Sequence, residues 1–218
     1  MSVFKNSDAE TLDAAVYPIV DDGVVSSDEM EALASKIHAT QQELECYLRY
    51  VHAQAYTDPL TRVGNTNAYQ EELRSLDEQI RSGSAAFCAV VLDIDNLKTV
   101  NDRYGHACGD RIIRGAAEVI TGVFGADRTY RIGGDEFLAI PLNMTEEEAN
   151  AQWDKLQSGM DAFNSSPDHP ATKLALSMGA AAYRPGVDSC FQEVFVRADE
   201  TMYENKNRHH RKLAAQTE

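Results

Sequence analysis

The sequence lacks the signals of membrane insertion and of secretion. None of its apolar runs approaches the roughly 18 residues that a membrane-spanning helix requires. Its first residues, MSVFKNSDAE, are acidic where a signal peptide would have a basic start followed by an apolar stretch. We therefore expect a cytoplasmic chain without membrane insertion, either by itself or as the soluble part of a larger protein with an upstream sensor domain.

Positive charge is scarce. The 218 residues include 20 Lys and Arg against 35 Asp and Glu, which gives a net charge of −15. A surface that acidic repels phosphate backbones, so polymeric nucleic acid is excluded as a partner. A small anionic substrate would bind only where metal ions and local cations reverse the field.

Cysteine is also scarce, and no two cysteines form the C-x-x-C pair of a zinc or redox site. The four cysteines are far apart in the sequence: Cys46, Cys88, Cys108 and Cys190. We interpret them as reduced, mostly buried thiols of a cytosolic protein. The remaining composition, 43% hydrophobic and 25% charged, is that of a globular protein with one core and an accessory segment.

The N-terminal part divides into an acidic segment, 1–27, for which we predict no function, and an amphipathic helix, 28–56. The apolar residues of the helix follow the seven-residue spacing of a coiled-coil seam: Ile37, Leu44 and Val51, with Leu33 and Tyr47 on the adjacent position. Thr40 and Gln54 interrupt this seam. Two interpretations remain open, a helix that packs on the following domain and a parallel dimerising stalk.

Residues 57–213 have the pattern of an α/β (α+β) domain, followed by a short tail, 214–218. A helix with Tyr69, Leu73, Leu76 and Ile80 on one face ends at Gly83. Next come a buried strand and further elements in the order β-α-α-β-β-α-β-α, which predicts a sheet that mixes parallel and antiparallel neighbours. The predicted ranges are strand 87–93, helices 96–104 and 110–124, a hairpin within 128–142, helix 145–163, strand 172–183 and helix 190–206.

Four carboxylates follow the first strand and the hairpin turn. Asp93 and Asp95 lie at the carboxyl end of the strand, and Asp135 and Glu136 follow the Gly-Gly turn. Two carboxylates about 4 Å apart repel by roughly 4 kcal/mol at an effective dielectric near 20, so a cation or a proton must compensate. Oxygen ligands without His or Cys favour Mg²⁺ or Mn²⁺ over zinc. If the strand and the hairpin are neighbours, the sequence predicts a metal-dependent nucleotide site.

The other candidate residues of this region each have a structural explanation as well. Gly133 and Gly134 would let a ligand approach the backbone, but a tight hairpin with two positive φ angles also explains them. Lys98 would reach a phosphate, although a helical lysine is usually solvated. Asn101 and Asp110 would bind a base edge or cap a helix. His106 is interpreted as structural.

Five ordered blocks of the chain resemble the GGDEF family of diguanylate cyclases, over about residues 57–207. The turn that names the family is present unaltered as Gly133-Gly134-Asp135-Glu136-Phe137, preceded by Arg131-Ile132. The other blocks are DPLTRVGN, DIDNLKTVNDRYGHACGD, SMGAAAY and ADETMYENK. The resemblance implies a nucleotidyl-cyclase palm with a five-stranded sheet, flanked by helices and preceded by the N-terminal helix. It also implies condensation of two GTP into cyclic di-GMP and two pyrophosphates by a homodimer.

The resemblance also implies a role for each matching residue. Asp93, the Ile94 carbonyl and Asp135 would bind Mg²⁺ or Mn²⁺, with Glu136 at the metal or the guanine edge. Asp135 would accept the proton of the attacking hydroxyl. The substrate-binding residues would be Asn96 and Leu97 through their amides, Lys98, Lys206, Asn101, Asp110, Arg131, Gly133 and Gly134. Of these, the lysines and amides would hold phosphates, and Asn101 with Asp110 would select guanine.

Three departures separate the chain from the family pattern. Phe124 replaces the arginine of the R-x-x-D motif, so we predict no product binding at that inhibitory site. The C-terminal K-x-x-G-R reads Lys206-Asn207-Arg208-His209-His210, which leaves Arg208 or Arg211 to supply the second cation. Arg62 and Gly64 replace a glycine and a proline. None of these changes touches the metal ligands, so activity is expected.

The alternative is a weak or inactive domain that binds GTP or cyclic di-GMP as a regulatory module.

Overall fold

The computed structural model of the chain describes residues 26–166 and 172–215, without the side chains of Ser27, Glu29 and 209–215. The segment 1–25 therefore lies outside it. The chain divides into two units, Met1–Val51 and His52–Glu218. No helix in the described ranges is both long and apolar enough to cross a bilayer.

The structure describes one element of the first unit, which is most of helix α1, Ser27–Tyr56. The last residues of this helix belong to the second unit. The predicted seam residues carry large exposed side chains: Ile37 is 51% exposed, Leu44 56%, Tyr47 56% and Val51 42%. Met30 extends the same seven-residue spacing toward the N-terminus and is 61% exposed. Leu33, on the adjacent position, is half-buried, so the exposure of the stripe is not continuous.

The second unit is an α/β domain with the element types in the predicted order. Its helices and strands are α2 Thr66–Ser82, β1 Cys88–Ile94, α3 Leu97–Tyr104, α4 His106–Phe124, β2 Thr129–Arg131, β3 Glu136–Ala139, α5 Glu146–Ala151, α6 Trp153–Asn164, β4 Leu176–Ala182 and α7 Phe191–Ala215. Asn65 caps α2 through its side-chain oxygen. The helix ends at Gly83, as the sequence predicts, and this glycine adopts the left-handed conformation.

The sheet has the strand order β2-β3-β1-β4, so the described residues form four strands rather than the expected five. The residue pattern alone predicts four strands, and the fifth came from the family resemblance. The expected parallel neighbours were wrong as well, because every strand pair is antiparallel. β1 and β2 do run in the same direction, but β3 lies between them.

Alternation along β1 divides the core into two layers. Cys88, Val90, Leu92 and Ile94 pack with α4 and α6 on one face of the sheet. Ala89 and Val91 pack with α2 and α7 on the other. Because every residue of β1 is buried, this strand is the centre of the domain. Residue 93 belongs by its parity to the α2 and α7 face.

Several predicted boundaries are displaced. Helix α4 begins at His106 rather than 110, because Gly105 already starts it with a positive φ. The helix expected over 145–163 is interrupted at Gln152, where the N–H bonds back three residues to Ala149 in a tighter turn. Helix α7 extends to Ala215.

The four cysteines are free, as expected, but only Cys88 is buried. Burial raises the pKa of the Cys88 thiol to about 12, which makes it an unreactive core residue. The expectation that most of the thiols are buried was wrong.

Gly179 of β4 sets how closely α7 approaches the sheet. A Cβ atom at this position would lie 2.2 Å from the Ala198 carbonyl oxygen and 2.2 Å from the Met202 nitrogen. These are backbone atoms, so the helix as a whole would have to move. On the same helix, the Asn205 amide donates to the Met178 carbonyl at 2.9 Å.

We predict that Gly179→Ala destabilises the domain by about 2 kcal/mol or more, because overpacking against backbone forces α7 off the sheet. Gly122→Ala is the matched control. A Cβ there meets nothing within 4 Å, so alanine in α4 should stabilise the protein by about 0.5–1 kcal/mol. Urea unfolding measures both changes, and equal stability of the two variants would contradict the close docking.

Candidate active site

The carboxyl end of β1 and the Gly-Gly turn meet at one point of the sheet. Asp93 lies directly opposite Glu136 on the neighbouring strand. The Ile94 N–H donates to the Asp135 carbonyl at 3.0 Å, which joins the strand end to the turn. Val91 and Leu138 pack in the α7 layer, so alternation places Asp93 and Glu136 on that same face. The structure thus brings the predicted metal-binding residues together.

Lys206 of α7 completes this group. Its ammonium nitrogen lies 2.5 Å from the Asp93 Oδ1 atom. The side chain of Asp93 is only 8% exposed and that of Lys206 is 27% exposed, so the ion pair is largely inside the protein. The sequence predicted Lys206 as a phosphate-binding residue and did not predict its contact with a metal-ligand carboxylate.

The electrostatics of the site are those of crowded, partly buried acids. Burial raises the pKa of Asp93, the Lys206 ammonium opposes this, and the charges of Asp135 and Asp95 add to it. Burial also raises the pKa of Glu136, followed by the charges of Asp135 and Asp93. Since both net shifts favour protonation, the acids are short of positive charge.

The donor set fits a hard divalent cation. The atoms available are carboxylate oxygens of Asp93, Asp135 and Glu136 together with the Ile94 carbonyl oxygen, which suits Mg²⁺ or Mn²⁺. In the part of the chain that the structure describes, no cluster of three or more His, Cys, Asp or Glu side chains forms a metal cage. A site with one main-chain ligand and few carboxylates, open to substrate oxygens, does not need such a cage.

Asp95 follows Ile94 but is oriented by β4. The Ser177 hydroxyl donates to its Oδ1 atom at 2.8 Å, and its own N–H donates to the Ala175 carbonyl at 3.0 Å. Asp95 therefore adds negative charge near Asp93 while its carboxylate is held toward the outer strand.

The start of α3 presents main-chain donors beside β1. Asn96, at the helix start, has a φ of 60° and makes no side-chain capping bond. The first amides of this helix are therefore not satisfied by the Asn96 side chain, which is the arrangement that binds phosphate at helix N-termini. Lys98 lies exposed in the first turn of the same helix.

Asn101 and Asp110 are brought together by Gly109. A Cβ atom at Gly109 would lie 2.0 Å from the Asn101 side-chain oxygen, so only glycine leaves room for this amide. Asp110 follows directly and is half-buried inside α4. The helix-cap explanation of Asp110 was wrong, because α4 begins four residues earlier. Gly109 is a positioning residue that the sequence analysis missed, although it lies within the recognised block.

The Gly-Gly turn differs from the expected one. Neither Gly133 nor Gly134 has a positive φ, so the prediction of a turn with two left-handed glycines was wrong. Gly133 is required for the space that it leaves and not for its backbone conformation. A Cβ atom on Gly133 would lie 2.5 Å from a carboxylate oxygen of Glu136, whereas one on Gly134 would meet nothing within 4 Å. Gly133 makes room for Glu136, and the Gly134 backbone is open to a ligand.

Arg131 holds this turn in place. Its guanidinium donates to the Gly134 carbonyl at 2.7 Å and to the Asp58 carboxylate at 3.3 Å. Asp58 in turn accepts bonds from the Thr61 N–H at 2.9 Å and the Thr61 hydroxyl at 2.6 Å. Burial would raise the pKa of Asp58, but the Thr61 bonds and the Arg131 charge lower it below 3.8. Arg131 was predicted to bind substrate, and within the protein its guanidinium contacts the turn and Asp58.

The departures from the family pattern have structural counterparts. Phe124 is 8% exposed and belongs to the core layer of α4, so no cation stands at the position of the inhibitory arginine. Arg62 adopts a φ of 64°, a left-handed conformation that favours the family's glycine. Arg208 is exposed, and the side chain of Arg211 lies outside the described residues. The source of the second phosphate cation stays a prediction.

Gly64, which stands where the family has a proline, is packed by Tyr130. A Cβ atom there would lie 2.5 Å from the Tyr130 ring, which covers the glycine. The Gly64 N–H also donates to the Thr129 carbonyl at 3.0 Å, a bond that the family's proline could not make. Tyr130 and this hydrogen bond therefore replace the packing that a proline ring would supply.

We predict that Arg131→Ala destabilises the domain by about 2 kcal/mol or more, because it leaves the Asp58 carboxylate without its partner. The Arg131 and Asp58 side chains are only 15% and 17% exposed. Arg74→Ala is the control, since the Arg74–Glu71 pair is 75% and 63% exposed and should contribute less than about 0.5 kcal/mol.

The pH dependence follows from the lowered pKa of Asp58. Stability from a lowered carboxyl pKa is present above the unfolded value and is lost as pH falls through the folded value. The difference between wild type and Arg131→Ala in urea unfolding should therefore shrink below about pH 3.8. A constant difference across that range would count against the ion pair.

Comparison with known proteins gives the family of the chain. Residues 55–212 match the sequence model described as diguanylate cyclase, GGDEF domain. Diguanylate cyclase DgcS of Shewanella oneidensis is 30% identical over 154 residues, 70% of this chain and 50% of that protein. DgcP of Pseudomonas aeruginosa is 30% identical over 186 residues, 83% of this chain and 27% of that protein. The chain thus spans half or less of the length of these relatives.

A solved structure gives the same result for the fold. The coiled coil and GGDEF domain of DgcB from Caulobacter crescentus, in complex with c-di-GMP, superposes with a TM-score of 0.64. The two proteins are 30% identical, and the match covers 82% of this chain and 94% of that one. With the strand end, the Gly-Gly turn and the lysine of α7 in these positions, the chain belongs to the GGDEF domain family of diguanylate cyclases.

Proposed function

We propose that this chain condenses two GTP molecules into cyclic di-GMP and two pyrophosphates, with Mg²⁺ or Mn²⁺, as a dimer. The observation that carries the proposal is the junction of β1 with the Gly-Gly turn. There Asp93, Glu136 and the linked Ile94 and Asp135 backbones gather acidic oxygens at one point. Of these acids Asp93 is buried, Asp135 half-buried and Glu136 exposed, and acids brought this close together repel one another unless a cation compensates their charge.

In this reaction Asp93, Asp135, Glu136 and the Ile94 carbonyl would hold the metal. When bound, the metal neutralises charge on the phosphoryl oxygens and lowers the pKa of the attacking 3′-hydroxyl. The Asp135 carboxylate, on the turn and half-buried, accepts the proton of that hydroxyl. Glu136 lies over Gly133 and orients the metal or the guanine edge.

The nucleotide is held by groups on three elements. The Asn96 and Leu97 amides, where α3 begins without a side-chain cap, bind phosphate, and Lys98 and Lys206 add positive charge. Asn101 and Asp110 bind the guanine edge, with Asp110 accepting from its N–H groups and so favouring GTP over ATP. The open backbone of Gly134 leaves space for the nucleotide.

Dimerisation is supported by the open stripe of α1. Each site binds one GTP, so the two halves of the product must come from two facing subunits. The stripe of Ile37, Leu44 and Val51 is exposed in the single chain and has the spacing of a parallel coiled coil. Of the two interpretations of this helix, the proposal takes the dimerising stalk, because the reaction needs two subunits.

We predict that Asp135→Asn abolishes turnover of GTP, because the amide neither accepts the proton nor binds the metal as a carboxylate does. Chromatography of the products after incubation with GTP and Mg²⁺ or Mn²⁺ measures this. The control is Asp161→Asn on the exposed side of α6, which should keep the wild-type rate. An unchanged rate in Asp135→Asn would refute the assignment.

The same assay separates the alternative function. A wild-type chain that binds GTP or cyclic di-GMP without forming product would be a regulatory module rather than an enzyme.

We predict further that the rate per subunit rises with protein concentration. Leu44→Asp should move this rise to at least tenfold higher concentration, since burial of each leucine contributes about 1.5–3 kcal/mol. Gln42→Asp, on the opposite side of α1 in the seven-residue repeat, is the control and should leave the curve in place. A rate that is independent of dilution in both variants would contradict a dimer formed by this helix.

A further inference from the structure

The contact between Lys206 and Asp93 has no place in the proposed reaction, in which Lys206 holds phosphate. A lysine that only binds phosphate would be expected to extend toward the open side of the site. Here the ammonium donates to a carboxylate that is 6% exposed and that is also a proposed metal ligand. Asp93 and Lys206 are therefore paired with each other here, whereas in the proposed reaction Lys206 would bind phosphate and Asp93 would bind the metal.

The position of Lys206 is built into the fold. Helix α7 lies directly on Gly179, where its backbone leaves no room for a Cβ atom. The residue before the lysine, Asn205, is anchored to the Met178 carbonyl at 2.9 Å. With the helix fixed at both points, the lysine is delivered to Asp93 by the packing of the domain.

The charges show what the lysine does there. The Lys206 ammonium lies 2.5 Å from the Asp93 Oδ1 atom and therefore supplies positive charge directly at this carboxylate. A divalent cation would draw on the same Asp93 oxygens, and two cations at one carboxylate repel each other.

We propose that Lys206 is an internal counter-cation that competes with the divalent metal for Asp93, so that the metal binds tightly only together with nucleotide. This inference rests on the proposed function and adds an order of assembly to it. In the absence of nucleotide the ammonium neutralises Asp93 and keeps the acid cluster folded. Phosphates then attract the ammonium away from Asp93, and the carboxylate becomes available to the metal that accompanies them.

The test is Mn²⁺ binding without nucleotide, measured by electron paramagnetic resonance on the full chain. Lys206→Met removes the charge and keeps the length of the side chain, so it should bind Mn²⁺ at least about tenfold more tightly than wild type, or about 1.4 kcal/mol. Lys155→Met is the matched control, because that lysine is exposed on α6 and should leave Mn²⁺ affinity without nucleotide unchanged. Lys206→Gln serves as a second neutral variant if the Met variant does not fold.

A second measurement uses the α,β-methylene analogue of GTP. The analogue should strengthen Mn²⁺ binding more in wild type than in Lys206→Met, because the variant has no ammonium to displace. Unchanged or weaker Mn²⁺ binding in Lys206→Met, or equal strengthening by the analogue, would overturn the competition and leave Lys206 as a phosphate ligand. Absence of Asp93-dependent Mn²⁺ binding in every protein, judged against Asp93→Asn, would instead refute the proposed metal site itself.

Discussion

A carboxylate that is withdrawn from water needs positive charge, and the architecture of the second unit can be understood from this requirement at Asp93. The buried strand β1 places Asp93 beneath helix α7, and the antiparallel strand β3 adds Glu136 directly opposite it. The turn that precedes β3 brings Asp135. Only the lysine of α7 offsets these charges through direct contact among the described side chains, and it reaches them because a glycine lets the helix lie close to the sheet.

This arrangement separates the tasks of the two core layers. The layer containing α4 and α6 is apolar and supports the sheet from one side. The layer containing α2 and α7 is apolar at its centre and becomes ionic at the end of β1. The apolar packing that stabilises the domain therefore lies beside the site rather than in it. Arg131, which is itself bonded to Asp58, holds the turn through the Gly134 carbonyl, so the turn does not depend on bonds made by Asp135 and Glu136.

Much of the fold and of the site could be predicted from the sequence, because the informative residues are local signals. A continuous apolar run identified β1, and Gly83 marked the end of α2. The family turn identified Asp135 and Glu136. The pairing of Arg131 with Asp58 could not be predicted in this way, since the two residues are 73 positions apart and only the folded chain relates them. The docking of α7 on Gly179 and the amide of Asn101 over Gly109 have the same origin in tertiary contact.

Gly64 and Tyr130 illustrate how such contacts constrain the divergence of a family. The aromatic ring occupies the volume that a side chain at residue 64 would need, and the amide hydrogen of Gly64 is bonded to strand β2. A proline could return to this position only after the ring had become smaller and the bond had been given up. We therefore expect the residues at 64 and 130 to depend on each other, so that a larger residue at one requires a smaller residue at the other.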